Sequence, residues 1–246
     1  MWEPQLALAE FGWRVIAPHL RGLGQPADRP SPASQSVRVS ARLEPEIKSM
    51  DDCVGDVIDL LDALHIESAV IGGLSLGGYV TLAMFRHAPR YFAGMVLADT
   101  RAPADTPEGV EGRKRTLAVL KEKGKGAVLD DLLPKLLGET TQRNRPEVAE
   151  RLRTIVSSNA EQAIAGSVVA LMTRLDSTPL LKTIHCPTLV IVGEEDTLTP
   201  PAMSQDLHAG IKGSELIVLP GAGHLASLER PREFNAALGG FLEHRV

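Results

Sequence analysis

A serine at the centre of a glycine-rich turn has the sequence setting of a nucleophile. Ser75 is the middle residue of Gly-Leu-Ser-Leu-Gly at positions 73–77. The apolar run Ala69–Gly72 before it is typical of a buried strand, and Gly77–Ala88 after it is typical of a helix that Pro89 ends. Such a turn raises the serine above the sheet and directs the free N–H groups of the helix at an incoming oxyanion. We therefore interpret Ser75 as a nucleophile.

Two other interpretations of this turn compete with that one. The serine could be incidental in a turn that needs glycine for its backbone alone. A phosphate-binding loop is a second alternative, because Gly72 and Gly77 have the spacing of its two glycines. That motif requires a lysine where this chain has Gly78, so the phosphate loop is excluded.

A serine hydroxyl needs a base to take its proton, and the base needs a third group to orient it. His224 ends the segment Gly-Ala-Gly-His that follows the last predicted strand, Leu216–Leu219, where an imidazole could reach back to Ser75. The other histidines lie on predicted helices, helix ends or earlier loops, where solvated or structural roles are expected. They are His19, His65, His87, His185, His208 and His244.

The acid that orients the histidine should follow another strand at the same edge of the sheet, in the chain order serine, acid, histidine. Asp196 fits, because it comes shortly after the strand Thr188–Gly193. Asp99 directly follows the strand Gly94–Ala98 and is the alternative acid; the competing roles for it are to cap its loop or to pair with Arg101. Glu194 and Glu195 are expected to be solvated or to bond loop amides.

The four predicted strands named so far are apolar runs rich in Val, Ile and Leu, without alternation of apolar and polar residues. This pattern is typical of strands covered on both faces. A fifth predicted strand is Arg14–Ala17. Predicted helices separate several of these strands, which indicates a doubly wound, mostly parallel α/β sheet. Outside the middle of the chain the helices are Asp51–His65, with a capping box from Ser49 and Asp52, then Gly77–Ala88 and Phe234–Glu243.

The middle of the chain, from about 106 to 184, contains helical patterns and no predicted strand. Its segments are Gly112–Lys123, Gly126–Leu137, Pro146–Ser157, Ala160–Thr173 and Thr178–Ile184. A helical block between two strands predicts a cap over the carboxyl ends of the sheet, where open α/β sheets bind ligands. We therefore expect a core of residues 1–105 and 185–246 and a helical cap of residues 106–184. Gln25–Pro45 is polar and is predicted to be a surface loop.

Three residues near the cap are candidates for substrate binding. Arg101 and Arg174 lie near the predicted hinges and could hold a substrate carboxylate, although pairing with a nearby aspartate is the competing expectation. Met172 belongs to an apolar helical stripe that could line a pocket or simply form the core of the cap.

Composition excludes several classes of protein. The 246 residues carry a formal net charge of −5 and 43% hydrophobic residues, and no clustered basic face predicts nucleic-acid binding. The two cysteines, Cys53 and Cys186, form no disulfide framework and fit a reducing compartment, so a cytoplasmic location is expected. No apolar run approaches the roughly 20 residues of a membrane span. No dinucleotide motif or metal spacing occurs, so we expect no metal and no cofactor.

Taken with residues 17–24 (Ala-Pro-His-Leu-Arg-Gly-Leu-Gly) and 186–188 (Cys-Pro-Thr), these motifs resemble the α/β-hydrolase superfamily over nearly the whole chain. Within it the sequence is similar to capped esterases and lactonases such as 3-oxoadipate enol-lactonase. The resemblance implies a serine hydrolase that cleaves a small ester or lactone through an acyl-enzyme. Ser75, His224 and Asp196 would form its catalytic triad, and the backbone N–H of Leu76 would be one oxyanion donor.

One departure from that family concerns the second oxyanion donor. In the family, a central strand and a His-Gly loop precede the segment that Met1 and Trp2 match. We therefore expect this chain to begin after the first strands and to lack that donor, whose loss typically costs about 100- to 1000-fold in rate.

Several functional alternatives stay open at this stage. Hydrolysis of a carbon–carbon bond and perhydrolase activity would use the same three residues. A non-catalytic receptor, or a catalytically impaired family member, is the alternative from a different class. The sequence identifies neither the substrate nor the oligomeric state.

Overall fold

A parallel sheet carries the loops that matter for function. The computed structural model describes residues 1–24 and 47–246, and within them four strands pair in the order β1-β2-β3-β4, all parallel. The strands are β1 (Ala69–Leu74), β2 (Phe92–Ala98), β3 (Thr188–Gly193) and β4 (Glu215–Leu219). The α/β prediction and these four strands are confirmed. The predicted loop at Gln25–Pro45 lies outside the described residues.

Burial separates the two central strands from the two outer ones. Every residue of β3 is buried, and so is nearly all of β2. β1 and β4 lie at the sheet edges, where Gly72 and Val218 are exposed. The prediction of fully buried strands therefore holds for β2 and β3, whereas β1 and β4, each with one neighbouring strand in the described residues, are only partly buried.

The fifth predicted strand is wrong. Arg14–Ala17 runs as irregular backbone, with Arg14, Ile16 and Ala17 exposed. A strand forms only beside a partner that takes up its backbone hydrogen bonds. In the described part of the chain, no strand pairs with Arg14–Ala17, so its β-forming residues have nothing to extend.

Helices cover the sheet and fill the interval between β2 and β3. The α-helices are α1 (Met50–Ala63), α2 (Leu76–His87), α3 (Pro107–Leu136), α4 (Glu139–Asn144), α5 (Pro146–Ser157), α6 (Glu161–Thr173), α7 (Pro201–Gly210), α8 (Ala226–Glu229) and α9 (Pro231–Arg245). Short 3₁₀-helices occur at Glu3–Phe11, Pro89–Tyr91 and Thr178–Thr183. No helix in the two described stretches is long and apolar enough to cross a membrane.

Most predicted helices are confirmed with small shifts of their ends. The capping box of α1 is present: the Ser49 Oγ accepts from the Asp52 N–H at 3.3 Å, and the Asp52 carboxylate accepts from the Ser49 N–H at 2.9 Å. The two predicted helices before residue 137 are one element, α3, broken at Gly124, where φ is 80°. The segment at Thr178–Thr183 is 3₁₀ rather than α. Sequence reasoning missed α4, α7 and α8. Helices α4 and α8 are too short to show a hydrophobic period, and α7 buries only Ser204 and Leu207.

The interval between β2 and β3 contains α3 to α6 and no strand, as the sequence predicts. Its two ends meet at Asp105, whose side chain is 1% exposed. The carboxylate binds Arg101 Nη2 at 2.6 Å, Arg174 Nη1 at 2.8 Å and Arg113 Nε at 3.2 Å. Burial acts to raise the pKa of Asp105, but the Arg174 and Arg113 guanidiniums outweigh it and hold the pKa below its ordinary value. The division into core and cap itself stays a prediction.

The turn from β1 to α2 is tight and asymmetric. Ser75 has a φ of 51°, a left-handed value that is unfavourable for a serine and that the surrounding turn imposes. A Cβ on Gly73 would lie 2.0 Å from the carbonyl carbon of Gly77, so only glycine fits there. A Cβ on Gly77 would meet nothing within 4 Å. Of the two glycines that end the Gly-Leu-Ser-Leu-Gly segment, Gly73 is therefore required sterically and Gly77 is not.

Replacing Asp105 by Asn should lower the free energy of unfolding by about 3–5 kcal/mol at pH 7, because three arginines lose their shared counter-charge. The pKa of Asp105 is lowered in the folded state, so its contribution is present above the ordinary value of 3.8. It is lost as the pH falls through the folded-state pKa.

Urea unfolding of the wild type and of Asp105→Asn, at pH 7 and below pH 3.8, should therefore show a difference in the free energy of unfolding that shrinks in acid. Asp130→Asn removes an exposed carboxylate 3.6 Å from Arg153 and should change stability by less than about 0.5 kcal/mol. An Asp105→Asn effect of equal size at both pH values would contradict the electrostatic explanation.

The two glycines of the turn make a matched pair. Gly73→Ala should cost about 2–3 kcal/mol of stability, because the methyl group displaces the backbone of Gly77. Gly77→Ala should be neutral or stabilise by up to about 1 kcal/mol, because alanine is the better helix former. Denaturant unfolding measures the change in the free energy of unfolding in each variant. Equal changes in the two variants would contradict the steric difference between Gly73 and Gly77.

Candidate active site

Three residues from three strand ends meet at the carboxyl edge of the sheet. The Ser75 Oγ lies 2.8 Å from the His224 Nε2, and the His224 Nδ1 lies 2.8 Å from the Asp196 Oδ2. His224 and Asp196 are buried, while Ser75 is half-buried. The structure therefore brings together the three residues that the sequence predicts, in a continuous chain of hydrogen bonds.

The Asp196 carboxylate is saturated with donors. Its Oδ1 accepts from the Leu198 N–H at 2.8 Å and the Thr199 N–H at 2.9 Å. Its Oδ2 accepts from the Thr199 hydroxyl at 2.6 Å as well as from His224. Burial acts to raise the pKa of Asp196, but the bond and charge of His224, together with the Thr199 bonds, bring it below its ordinary value. The ionised form is therefore stabilised where it faces the imidazole.

Sequence reasoning missed Thr199. Its buried hydroxyl lies 3.2 Å from the His224 Nδ1 as well as against the Asp196 carboxylate. The signal was available, because an aspartate that accepts from the backbone two or three residues ahead forms a common turn, with the next hydroxyl within reach.

Asp99 occupies a different position from Asp196. It is fully buried with a φ of 43°, and its carboxylate accepts from the Gly193 N–H at 2.8 Å and the Ala226 N–H at 3.3 Å. Burial raises the pKa of Asp99 well above its ordinary value, and the charge of the neighbouring Asp196 raises it further. The two backbone hydrogen bonds act in the opposite direction but are outweighed. In the part of the chain that the structure describes, His224 bonds Asp196 and not Asp99. The expected pair of Asp99 with Arg101 does not form either, because Arg101 binds Asp105.

The family resemblance implies that the backbone N–H of Leu76 is an oxyanion donor. Leu76 is the first residue of α2, so its N–H has no acceptor within the helix. The positive end of the helix dipole lies at the same point and favours negative charge. The position is therefore suited to an oxyanion formed next to Ser75.

Two of the three predicted substrate-binding residues form ion pairs with Asp105. Arg101 binds Asp105, and so does Arg174, whose guanidinium also stacks 4.2 Å from the centre of the Tyr79 ring. Met172 is half-buried near the end of α6. A role of these three residues in substrate binding stays a prediction.

Within the described ranges, no group of three or more His, Cys, Asp or Glu side chains is arranged to hold a metal ion. What the arrangement offers instead is an alcohol, an imidazole and a carboxylate in series, beside a free helix N-terminus. Such a set can remove the proton of the alcohol and stabilise the anion that its attack produces.

Comparison with known proteins identifies the family. The sequence pattern of the alpha/beta hydrolase family matches residues 1–237. The chain is 28% identical to 3-oxoadipate enol-lactonase 2 of Acinetobacter baylyi, over 97% of this chain and 82% of that protein. This agrees with the resemblance to enol-lactonases that the motifs indicate.

Solved structures agree with the sequence comparison. A thermophilic esterase from Thermogutta terrifontis, with malate bound, is 34% identical with a TM-score of 0.87, covering 98% of this chain and 84% of the esterase. The enol-lactonase from Burkholderia xenovorans LB400 is 25% identical with a TM-score of 0.83, covering 99% of this chain and 86% of the lactonase. The chain therefore belongs to the alpha/beta hydrolase family and is an enzyme of the hydrolase type.

Proposed function

We propose that this protein hydrolyses a small carboxylic ester or lactone through an acyl-enzyme, with Ser75 as nucleophile, His224 as general base and Asp196 as the group that orients the histidine. The observation that carries the proposal is the unbroken chain of 2.8 Å contacts from the Ser75 Oγ through both imidazole nitrogens to Asp196. The enol-lactonase and esterase relatives support the substrate class.

The first half of the reaction forms the acyl-enzyme. The His224 Nε2 takes the hydroxyl proton as the Ser75 Oγ attacks the carbonyl carbon, and the carbonyl oxygen becomes an oxyanion beside the Leu76 N–H. The imidazolium then gives its proton to the leaving oxygen, and the ester bond breaks. In a lactone both products stay in one molecule, attached to Ser75.

The second half releases the acid. His224 takes a proton from a water molecule, which attacks the acyl carbon, and the imidazolium returns that proton to the Ser75 Oγ as the bond to the enzyme breaks. Asp196 keeps the Nδ1–H tautomer in place and offsets the imidazolium charge in both halves. The lowered pKa of Asp196 supports this role, because the carboxylate must stay ionised while it faces the imidazolium.

The helices α3 to α6 would form the wall of the substrate pocket. We propose that residues 106–184 act as a cap on the core of residues 1–105 and 185–246. The contact that supports this is at Gly138, between α3 and α4. A Cβ there would lie 2.8 Å from the Gly223 N and 2.5 Å from the Glu195 Oε2, so this turn touches the loops that carry His224 and Asp196.

Ser75→Ala should lower kcat/KM for a p-nitrophenyl ester by at least about 1000-fold, because no other described hydroxyl lies 2.8 Å from the His224 Nε2. Circular dichroism should show an unchanged fold. Turnover that persists in the folded Ser75→Ala variant would contradict the proposal.

The choice of acid gives a second prediction. Asp196→Asn should lower kcat by about 100- to 10,000-fold, because the amide favours the wrong imidazole tautomer. Asp99→Asn should lower it by less than about tenfold, because its carboxylate bonds backbone amides and not the imidazole. Steady-state kinetics of the two variants test this choice. A larger loss of kcat in Asp99→Asn than in Asp196→Asn would make Asp99 the acid.

A further inference from the structure

A buried carboxylate outside the proposed triad holds the backbone on both sides of His224. The Glu229 side chain is fully buried. Its Oε1 accepts from the Gly223 N–H at 3.0 Å and the Leu225 N–H at 3.1 Å, which are the residues before and after the histidine. Two bonds to one oxygen therefore fix the segment from which the imidazole projects.

The local sequence explains how Glu229 reaches this position. Leu225 precedes the single-turn helix α8, and Glu229 ends it, with its own N–H bonded to the Leu225 carbonyl at 2.9 Å. The side chain turns back to the amides that a helix start leaves without acceptors. Asp99 takes the next amide, that of Ala226. The N–H groups of Gly223, Leu225 and Ala226 thus all bond carboxylates.

The second oxygen of Glu229 joins this loop to the helices between β2 and β3. Its Oε2 accepts from the Gly138 N–H at 2.9 Å. Gly138 lies between α3 and α4, and its backbone touches the histidine loop: a Cβ on Gly223 would lie 2.2 Å from the Gly138 N. One carboxylate therefore binds amides from both sides of this contact.

Burial of a carboxylate costs free energy unless hydrogen-bond donors surround its oxygens. A buried carboxylate therefore adds little net stability to a fold. Glu229 meets the condition with backbone donors, and each donor would be unpaired without it. We propose that Glu229 is a positioning residue, which holds the His224 imidazole at bonding distance from Ser75 and fixes the α3–α4 turn against the histidine loop. This inference rests on the proposed function, in which His224 takes the proton of Ser75.

Glu229→Gln tests the proposal with little change of shape. An amide has one accepting oxygen, and its NH₂ group must face at least one of the three N–H donors. We expect kcat for a p-nitrophenyl ester to fall about 10- to 100-fold, with KM within about threefold, because a displaced base slows proton transfer more than binding. The rate at which phenylmethanesulfonyl fluoride inactivates Ser75 should fall by a similar factor, since that reaction also needs the base.

Glu194→Gln is the matched control. It removes the same charge beside the same loop, but Glu194 is exposed and accepts one bond, from the Gly221 N–H at 3.2 Å. Both rates should stay at the wild-type value in this variant. In Glu229→Gln, amide hydrogen exchange should quicken at Gly138, Gly223 and Leu225 relative to the control.

The outcomes are distinguishable. Wild-type rates per folded molecule in Glu229→Gln would overturn the inference, even if its melting temperature falls, because the role would then be structural only. If that variant does not fold, Glu229→Asp keeps the charge and withdraws the oxygens, and normal kcat and sulfonylation there would overturn it as well. Failure of the proposed function would appear in the wild type, as absence of Ser75-dependent turnover. Hydrogen exchange would still test whether Glu229 protects the amides of Gly138, Gly223 and Leu225.

Discussion

The two hydrogen bonds of the His224 ring, one at each nitrogen, set the geometry that the rest of the fold has to meet. They require residues far apart in the chain, Ser75, Asp196 and His224, to converge within 2.8 Å contacts. Parallel strands supply this, because β1, β3 and β4 all end at the same edge of the sheet and each is followed by one of the three residues. The strained turn at Ser75 and its tight fit against Gly73 are consequences of the same requirement.

Irregular loops leave some buried backbone amides without a backbone acceptor, and in this protein carboxylates accept from several of them. Asp196 bonds the amides that follow it, Asp99 bonds Gly193 and Ala226, and Glu229 bonds both neighbours of His224. The raised pKa of Asp99 shows the cost of concentrating such groups, since burial and the nearby Asp196 both disfavour its charge. In return, the loops are held by directional bonds rather than by packing alone.

Local pattern was sufficient for much of the fold and failed where pairing decided the outcome. The four short apolar runs became strands because each has a neighbour in register, whereas Arg14–Ala17, a run of similar length, has no strand beside it in the described part of the chain. Short helices such as α8 escaped notice because four residues show no period. Their positions follow from contacts made by the loops before them.

The sequence by itself determined the glycine-rich turn at Ser75 and the α/β class, because a turn and the pattern of each strand and helix depend on residues close together in the chain. Only the tertiary structure placed Asp196 rather than Asp99 against the His224 ring, engaged Arg101 and Arg174 with Asp105, and gave Glu229 its bond to Gly138 across 91 residues. A carboxylate in a sequence can pair with many donors. Which donor it meets depends on the distance and burial that folding imposes.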